Sequence, residues 1–328
     1  MRSVGIAGVG SYVPERILTN ADLEQMVDTN DDWIISRTGI STRHIAAQKE
    51  TTSDLAYEAA KLALADAGLK AEELDLIIVA TCTPDMLFPA TACILQEKLG
   101  IKGKPSMDVE AACSGFIYGL ATGAQFIATG IYENVLVVGA ETLSRIVDWE
   151  DRNTCVLFGD GAGAAVLRPE ERGKGLLSFY LGADGSGGDL LKVPAGGAAR
   201  PASHETVENK LHCMSMNGQE VYKFAVRVMG SAALAALEKA SLNKDDVAYV
   251  VPHQANMRIV EAAMRRLGLP MEKAFINLTK YGNMSSASIP VALDELYRTQ
   301  KLKKDDVLVL VGFGAGLTWG SVVIKWNK

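Results

Sequence analysis

Side chains suited to metal binding are scarce in this chain, which has four histidines in 328 residues and no Cys-x-x-Cys pair. Its five cysteines, Cys82, Cys93, Cys113, Cys155 and Cys213, are odd in number and widely spaced. That pattern supports neither a disulfide framework nor a zinc centre, and a reducing cytoplasm suits it best. Aromatic residues are also few, 6% against 31 glycines, so the interior must be packed from small and aliphatic side chains. Basic charge falls short: 33 Lys and Arg face 39 Asp and Glu, a net charge of −6, which argues against general nucleic-acid binding. The N-terminal MRSVGIAGVG lacks a basic stretch followed by a long apolar core and cleavage site, so no signal peptide is read there. An uncharged run of bilayer length does occur at Ala111–Tyr132, 22 residues,. Gly115, Gly119, Gly123 and Gly130, with Ser114, Thr122, Gln125 and Thr129, make it a poor membrane span. It suits a helix buried on all sides within a soluble protein.

What is present is 48% hydrophobic and 22% charged residues, enough for one large domain or two of about 150 residues. Apolar strands alternate with amphipathic helices. Val4–Val9 reads as a strand, and Thr52–Ala67 as a helix with Ser53 at its N-cap and Gly68 just past its end,. Leu76–Thr81 is a short apolar strand, as in a sheet covered on both faces,. Ala90–Leu99 reads as a helix, Asn134–Gly139 as a strand and Thr154–Leu167 as a glycine-rich hairpin. The second half then repeats the first. Helix, Asp75 and strand in Ala59–Ala80 resemble helix, Asp246 and strand in Ala235–Val251, at an offset of 171. Gly159–Gly163 resembles Gly312–Gly316 at an offset of 153. These repeats predict a duplicated α/β unit, with halves 1–172 and 173–328 joined at the charged, turn-like Pro169–Gly173,. The first offset carries Cys113 close to Asn283, where Gly282–Ser288 opens a second small-residue helix ending near Tyr297. Two small-faced helices packed on each other between two sheets make a five-layer αβαβα sandwich.

Cys113 follows the strand-like Ser106–Val109 and begins the buried helix. A thiol there gains from the helix dipole and from unpaired N–H groups, both of which favour thiolate. The other four cysteines read as small buried residues. His253, in Val251-Pro-His-Gln-Ala-Asn256, ends an apolar strand, where ligand groups gather in α/β folds,. His204 and His212 lie in a polar stretch, and His44 is consistent with a structural role. Asn283, at the duplicate of the Cys113 position, would approach the same internal site. A Cys–His–Asn set serves either thiol hydrolysis or acyl transfer. Gly5-Ile-Ala-Gly8-Val-Gly10 lacks the spacing of a dinucleotide fingerprint,.

Five stretches then bear a specific resemblance. Asp28-Thr-Asn-Asp-Asp-Trp-Ile-Ile-Ser-Arg-Thr-Gly39, Ala111-Ala-Cys-Ser-Gly115, Val251–Asn256, Tyr281-Gly-Asn283 and Gly312-Phe-Gly-Ala-Gly-Leu-Thr-Trp-Gly320 occur in this order. Together they resemble the β-ketoacyl-acyl-carrier-protein synthase III family, over nearly the whole chain. The resemblance implies the thiolase fold, a homodimer, acyl-CoA and malonyl-acyl-carrier protein as substrates, and no metal or redox cofactor. It implies Cys113 as the acylated nucleophile, His253 and Asn283 acting on the malonyl thioester, and backbone N–H groups of Cys113 and Ala315 as the oxyanion site. Trp33, Arg37 and Arg152 match positions that grip the nucleotide end of CoA, and Phe88 one that lines the acyl pocket. Lys223, Gln254, Ala255, Asn256, Met257, Arg258, Arg265 and Arg266 match the carrier-docking region.

Elongating ketosynthases use a second histidine and thiolases a second cysteine, and Asn283 disfavours both. A starter enzyme resembling chalcone synthase would have a longer chain and Pro at Ala315. A binding protein for CoA would lack the nucleophile, and a cysteine hydrolase would release free acid. Because carrier proteins are acidic and this chain is acidic too, docking requires a local basic patch. Arg258 and Arg265 share a helix face beside Arg266, as do Lys223 and Arg227 on the preceding helix,. Glu261 partly offsets them.

Overall fold

Apolar residues alternate between two faces along the central strands, and each face has its own cover. The computed structural model describes all residues, 1–328. β1 (Ser3–Tyr12), β2 (Leu76–Ala80), β3 (Ser106–Val109), β4 (Val135–Thr142) and β5 (Asp160–Glu170) form one sheet in the order β1-β5-β4-β2-β3. β6 (Gly175–Ala183), β7 (Val247–Pro252), β8 (Val307–Gly314) and β9 (Thr318–Lys325) form a second in the order β6-β9-β8-β7. The orders match strand for strand. β2 with β4, and β7 with β8, are parallel, while the β4–β5–β1 and β8–β9–β6 pairings are antiparallel. A parallel bridge between Val250 and Ala274 stands where the second sheet would hold its counterpart of β3.

The longer helices are α1 (Asp31–Thr38), α2 (Thr52–Ala67), α3 (Thr91–Lys98), α4 (Gly115–Ala128), α5 (Gly218–Lys239), α6 (Met257–Leu267) and α7 (Ser288–Arg298). Ile77, Val79, Leu136 and Val138 face α2 and α3 on the outside of the first sheet. Their neighbours Leu76, Ile78, Val135 and Val137 face inward, around α4 and α7, and meet Leu308, Leu310, Val322 and Ile324 of the second sheet. Val307, Val309, Val311 and Val323 turn outward to α5 and α6. Period-two strands thus build the five αβαβα layers of the thiolase-like fold. No helix is long and apolar enough to cross a membrane.

Several local expectations change. The N-cap of α2 is Thr51, in a capping box with Asp54, whereas the Ser53 hydroxyl donates to Asp85 (2.6 Å). Residues 154–167 form no hairpin. A short turn at Arg152–Cys155 leads into the single long strand β5. Gly159–Gly163 enters β5, whereas Gly312–Gly316 ends β8 and turns into β9, so the 153-residue likeness joins positions that are not equivalent. The glycine stripe of α4 packs on the first sheet instead of on α7. A Cβ at Gly119 would meet Val137, and one at Gly123 would meet Val135. α4 and α7 converge through their N-terminal turns, Ala112–Ser114 and Ser285–Ala287. Matching those turns pairs Cys113 with Ser286 and Asn283 with Glu110, which corrects the pairing of Cys113 with Asn283.

Candidate active site

Cys113 is the middle residue of the 3-10 turn between β3 and α4. The preceding Ala112 stands at φ 44° and donates its N–H to Glu110 Oε1 (3.0 Å). Ser114 ties the turn down through its hydroxyl, to Ala111 O and Thr318 Oγ1 (2.8 Å each). The end of β8 passes directly over it. A Cβ at Gly314 would lie 2.6 Å from Cys113 N, so the close approach requires glycine,.

His253 follows β7, its N–H on Val311 O (2.7 Å) and its ring edge-on to Phe313 at 5.7 Å. Nδ1 is buried with no hydrogen-bond partner. Burial pushes the imidazole down to about 3, so it is neutral across ordinary pH. Asn283 is pinned through its backbone, with N on Leu157 O (2.8 Å) and O accepting from Gly159 N (3.0 Å). Its Oδ1 accepts from Ser285 N (2.9 Å). The amide NH2 is left for the cavity.

Cys113, His253 and Asn283 line one cavity of about 170 Å³. Cys113 also borders an apolar chamber of about 390 Å³ with Leu143, Ile146, Phe158, Met214 and Ala315. On the other side lies an outer vestibule of about 640 Å³ bearing Trp33 and Arg37. It shares Leu157, Met216, Gly218 and Asn256 with the inner cavity. A mouth, a thiol and a mostly apolar chamber follow one another.

The favoured thiolate is not the resting state. Burial pushes the Cys113 thiol up to about 12, against the pull of the Ser285 hydroxyl, and Glu141 pushes the same way. Desolvation of the charged form outweighs the helix terminus. Glu141 itself is fully buried, accepting from Thr83 Oγ1 (2.6 Å), Ser286 Oγ (2.8 Å) and Cys82 N (3.1 Å). Sequence reasoning missed it. The available signal was a carboxylate closing the otherwise apolar β4. Cys82, read as a small buried cysteine, borders the same chamber, and burial raises its thiol well above the ordinary range, whereas Cys93, read the same way, is exposed.

At the mouth the structure brings Trp33, Arg37 and Arg152 together, the two guanidinium carbons 6.0 and 5.2 Å from the indole. Phe88 is 84% exposed and borders neither the chamber nor the cavity of its own chain. Lys223 on α5 and Arg258, Arg265 and Arg266 on α6 are exposed on adjacent helices. Lys223 pairs with Glu220 (2.7 Å) and Arg265 with Glu261 (3.9 Å), while Arg258 donates to Ser36 O of α1 (2.8 Å). Gln254 and Ala255 are buried, so they offer no docking surface. Asn256 caps α6 and donates to Arg37 O (2.9 Å), and Met257 packs half-buried against Gly39. His204 and His212 are exposed, and His44 lies against Tyr281. No group of three or more His, Cys, Asp or Glu side chains is arranged to hold a metal ion.

The 3-oxoacyl-[acyl-carrier-protein (ACP)] synthase III family matches residues 107–185, and its C-terminal family matches 237–326. The β-ketoacyl-[acyl-carrier-protein] synthase III of Desulfitobacterium hafniense is 62% identical over 328 residues, 100% of this chain and 99% of the relative. That of Caldanaerobacter subterraneus is 61% identical over 326 residues, 99% of this chain and 98% of the relative. The crystal structure of the 3-oxoacyl-[acyl-carrier-protein] synthase III from Aquifex aeolicus superposes with a TM-score of 0.91 at 47% identity, covering 99% of this chain and 100% of that one. With likeness of this extent in sequence and fold, the chain belongs to the β-ketoacyl-acyl-carrier-protein synthase III family.

Proposed function

We propose that this chain is an acyltransferase, the initiating condensing enzyme of type II bacterial fatty-acid synthesis. The observation that carries the reading is the convergence of Cys113, His253 and Asn283 on one cavity between a mouth and an apolar chamber. Trp33, Arg37 and Arg152 hold the nucleotide end of an acyl-CoA, by stacking and by pairing with phosphate. The Cys113 sulfur attacks the thioester carbon, the bond to the CoA sulfur breaks, and the thiol proton ends on the departing CoA. Backbone N–H groups of Cys113 and Ala315 hold the oxygen that becomes negative.

Malonyl-acyl-carrier protein then enters, docked on Lys223, Arg258, Arg265 and Arg266. Its terminal carboxylate leaves as CO2, and the electron pair moves onto the thioester enolate. Neutral His253 Nε2–H and the free Asn283 NH2 donate to the enolate oxygen. The α-carbon attacks the acyl carbon on Cys113, a carbon–carbon bond forms, and the thiolate departs and takes up one proton. The products are β-ketoacyl-carrier protein, CO2 and, from the first step, CoA. The reaction so written calls for no metal or redox cofactor.

Two duplicated halves, 1–172 and 173–328, fit the repeated strand order. The reading includes a cytoplasmic location and a homodimer; the homodimer is supported by the exposed apolar run Met86-Leu87-Phe88, which a second copy would cover,. Incubation with several acyl-CoA starters and malonyl-carrier protein tests the reaction. CO2 and a product two carbons longer are expected. Release of free acid alone would assign the chain to hydrolysis.

A further inference from the structure

Gln254 makes four hydrogen bonds with no solvent exposure. Its amide donates to Pro252 O (2.7 Å) and Phe275 O (3.1 Å), and its carbonyl accepts from Asn277 N (3.0 Å) and Leu278 N (3.2 Å). A primary amide offers two donors and two acceptor lone pairs, so its capacity is fully used. The partners belong to two separate segments. One is the end of β7 at Pro252, after which His253 immediately precedes Gln254. The other leads into a single helical turn, Leu278–Tyr281, whose N-cap residue Asn277 makes no side-chain cap bond.

Gln254 Oε1 supplies that missing cap from across the fold. The short helix then ends at Gly282, and Asn283 is the next residue. On its other side Asn277 Nδ2 donates to Glu295 Oε2 (2.8 Å), which holds the turn against α7. The side chain therefore sits as a spacer between the two enolate donors. Both must reach one oxygen, and displacement of such groups by about 1 Å can cost 100-fold in rate.

We propose that Gln254 is a positioning residue that sets the separation of His253 and Asn283 for malonyl decarboxylation. The proposal rests on the reaction given under Proposed function. Two variants test it. Gln254→Leu keeps the volume and loses all four bonds. Gln254→Glu keeps the acceptors and sets a carboxylate against two carbonyl oxygens, a burial that raises its pKa and lets the protonated form donate again.

The readouts are CO2 release from malonyl-carrier protein, acylation of Cys113 by acyl-CoA, and KM for malonyl-carrier protein, each beside wild type. In Gln254→Leu, decarboxylation kcat falls about tenfold or more. Acylation stays within about threefold and KM within about twofold, because neither half-reaction partner touches Gln254. In Gln254→Glu the loss is recovered as pH falls, an acid limb that wild type and Gln254→Leu lack. Unchanged decarboxylation in both variants overturns the proposal. So does an equal loss of acylation and decarboxylation, which marks a general loosening. A raised KM at unchanged kcat returns Gln254 to carrier docking. A wild-type protein that releases no CO2 removes instead the reaction on which the proposal rests.

Discussion

At both buried helix starts, the first residue of a 3-10 turn stands in the left-handed region, Ala112 at φ 44° and Ser285 at φ 46°. Each donates its N–H to the side chain two residues earlier, Ala112 to Glu110 (3.0 Å) and Ser285 to Asn283 (2.9 Å). Strained backbone of this kind costs about 1–3 kcal/mol per site, and here the same geometry occurs in both sheets' helix starts. The side chains differ. After Ala112 comes Cys113, bordering the cavity, whereas after Ser285 comes Ser286, its hydroxyl held by Ala80 O and Glu141 (2.8 Å each). Two residues before the strained position, Glu110 can only accept, while Asn283 accepts with Oδ1 and retains a donor. The backbone supplies a frame twice.

Removing the group unique to the first turn should have the largest effect. Cys113→Ala is expected to lose acyl transfer completely, with no acyl adduct in intact-mass spectrometry, while malonyl decarboxylation persists through His253 and Asn283. An adduct surviving in the variant would assign the nucleophile elsewhere. Making the second turn resemble the first comes next. Asn283→Asp still accepts from Ser285 N but has no NH2, and decarboxylation should fall about 100- to 1,000-fold. Acylation of Cys113 should continue, and timed CO2 release with adduct mass separates the two.

Much of this frame was legible in the sequence. Leu76–Thr81 announced a covered strand and Asn134–Gly139 another strand, and the ACSG, PHQAN and YGN stretches located the three residues that line one cavity. The equivalence of the two turns was not legible. The offset is 171 at Asp75 and Asp246 but 173 at the turns, so a fixed offset lands Cys113 near Asn283 instead of Ser286. The resting thiol was not legible either, because local position shows the helix terminus but not the desolvation that outweighs it. The docking assignment of Gln254 and Ala255 failed for a related reason. Motif order fixes a position along the chain, whereas exposure depends on what packs against it.

His253 allows a pH test of the buried end of the comparison. Unfolded, it returns to its ordinary 6.5, so between 6.5 and about 3 the unfolded chain binds a proton that the folded chain excludes,. Stability gained from the neutral ring is complete above pH 6.5 and is lost as pH falls below it. His253→Phe should therefore lose less stability than wild type between pH 6.5 and 5, by about 1 kcal/mol or more in denaturant titrations. An identical acid dependence would mean that the ring is not buried neutral.

The smallest effect belongs to the surface. Arg265→Glu should raise KM for malonyl-carrier protein about two- to tenfold and flatten its salt dependence. Acylation by acyl-CoA should be unchanged. Arg258 is the less clean site, since its bond to Ser36 O also supports α1, which carries Trp33 and Arg37. Equal effects on both half-reactions would take Arg265 out of docking.

The most direct test of the division of labour between the turns is a two-step labelling of the wild-type protein. It is incubated with acyl-CoA, mapped by peptide mass spectrometry, and then given malonyl-carrier protein. An acyl adduct confined to the peptide containing Cys113 is expected, discharged on the second addition with release of CO2 and a two-carbon-longer product. An adduct on Cys82, or discharge as free acid without CO2, would contradict the assignment of Cys113, His253 and Asn283 to these steps.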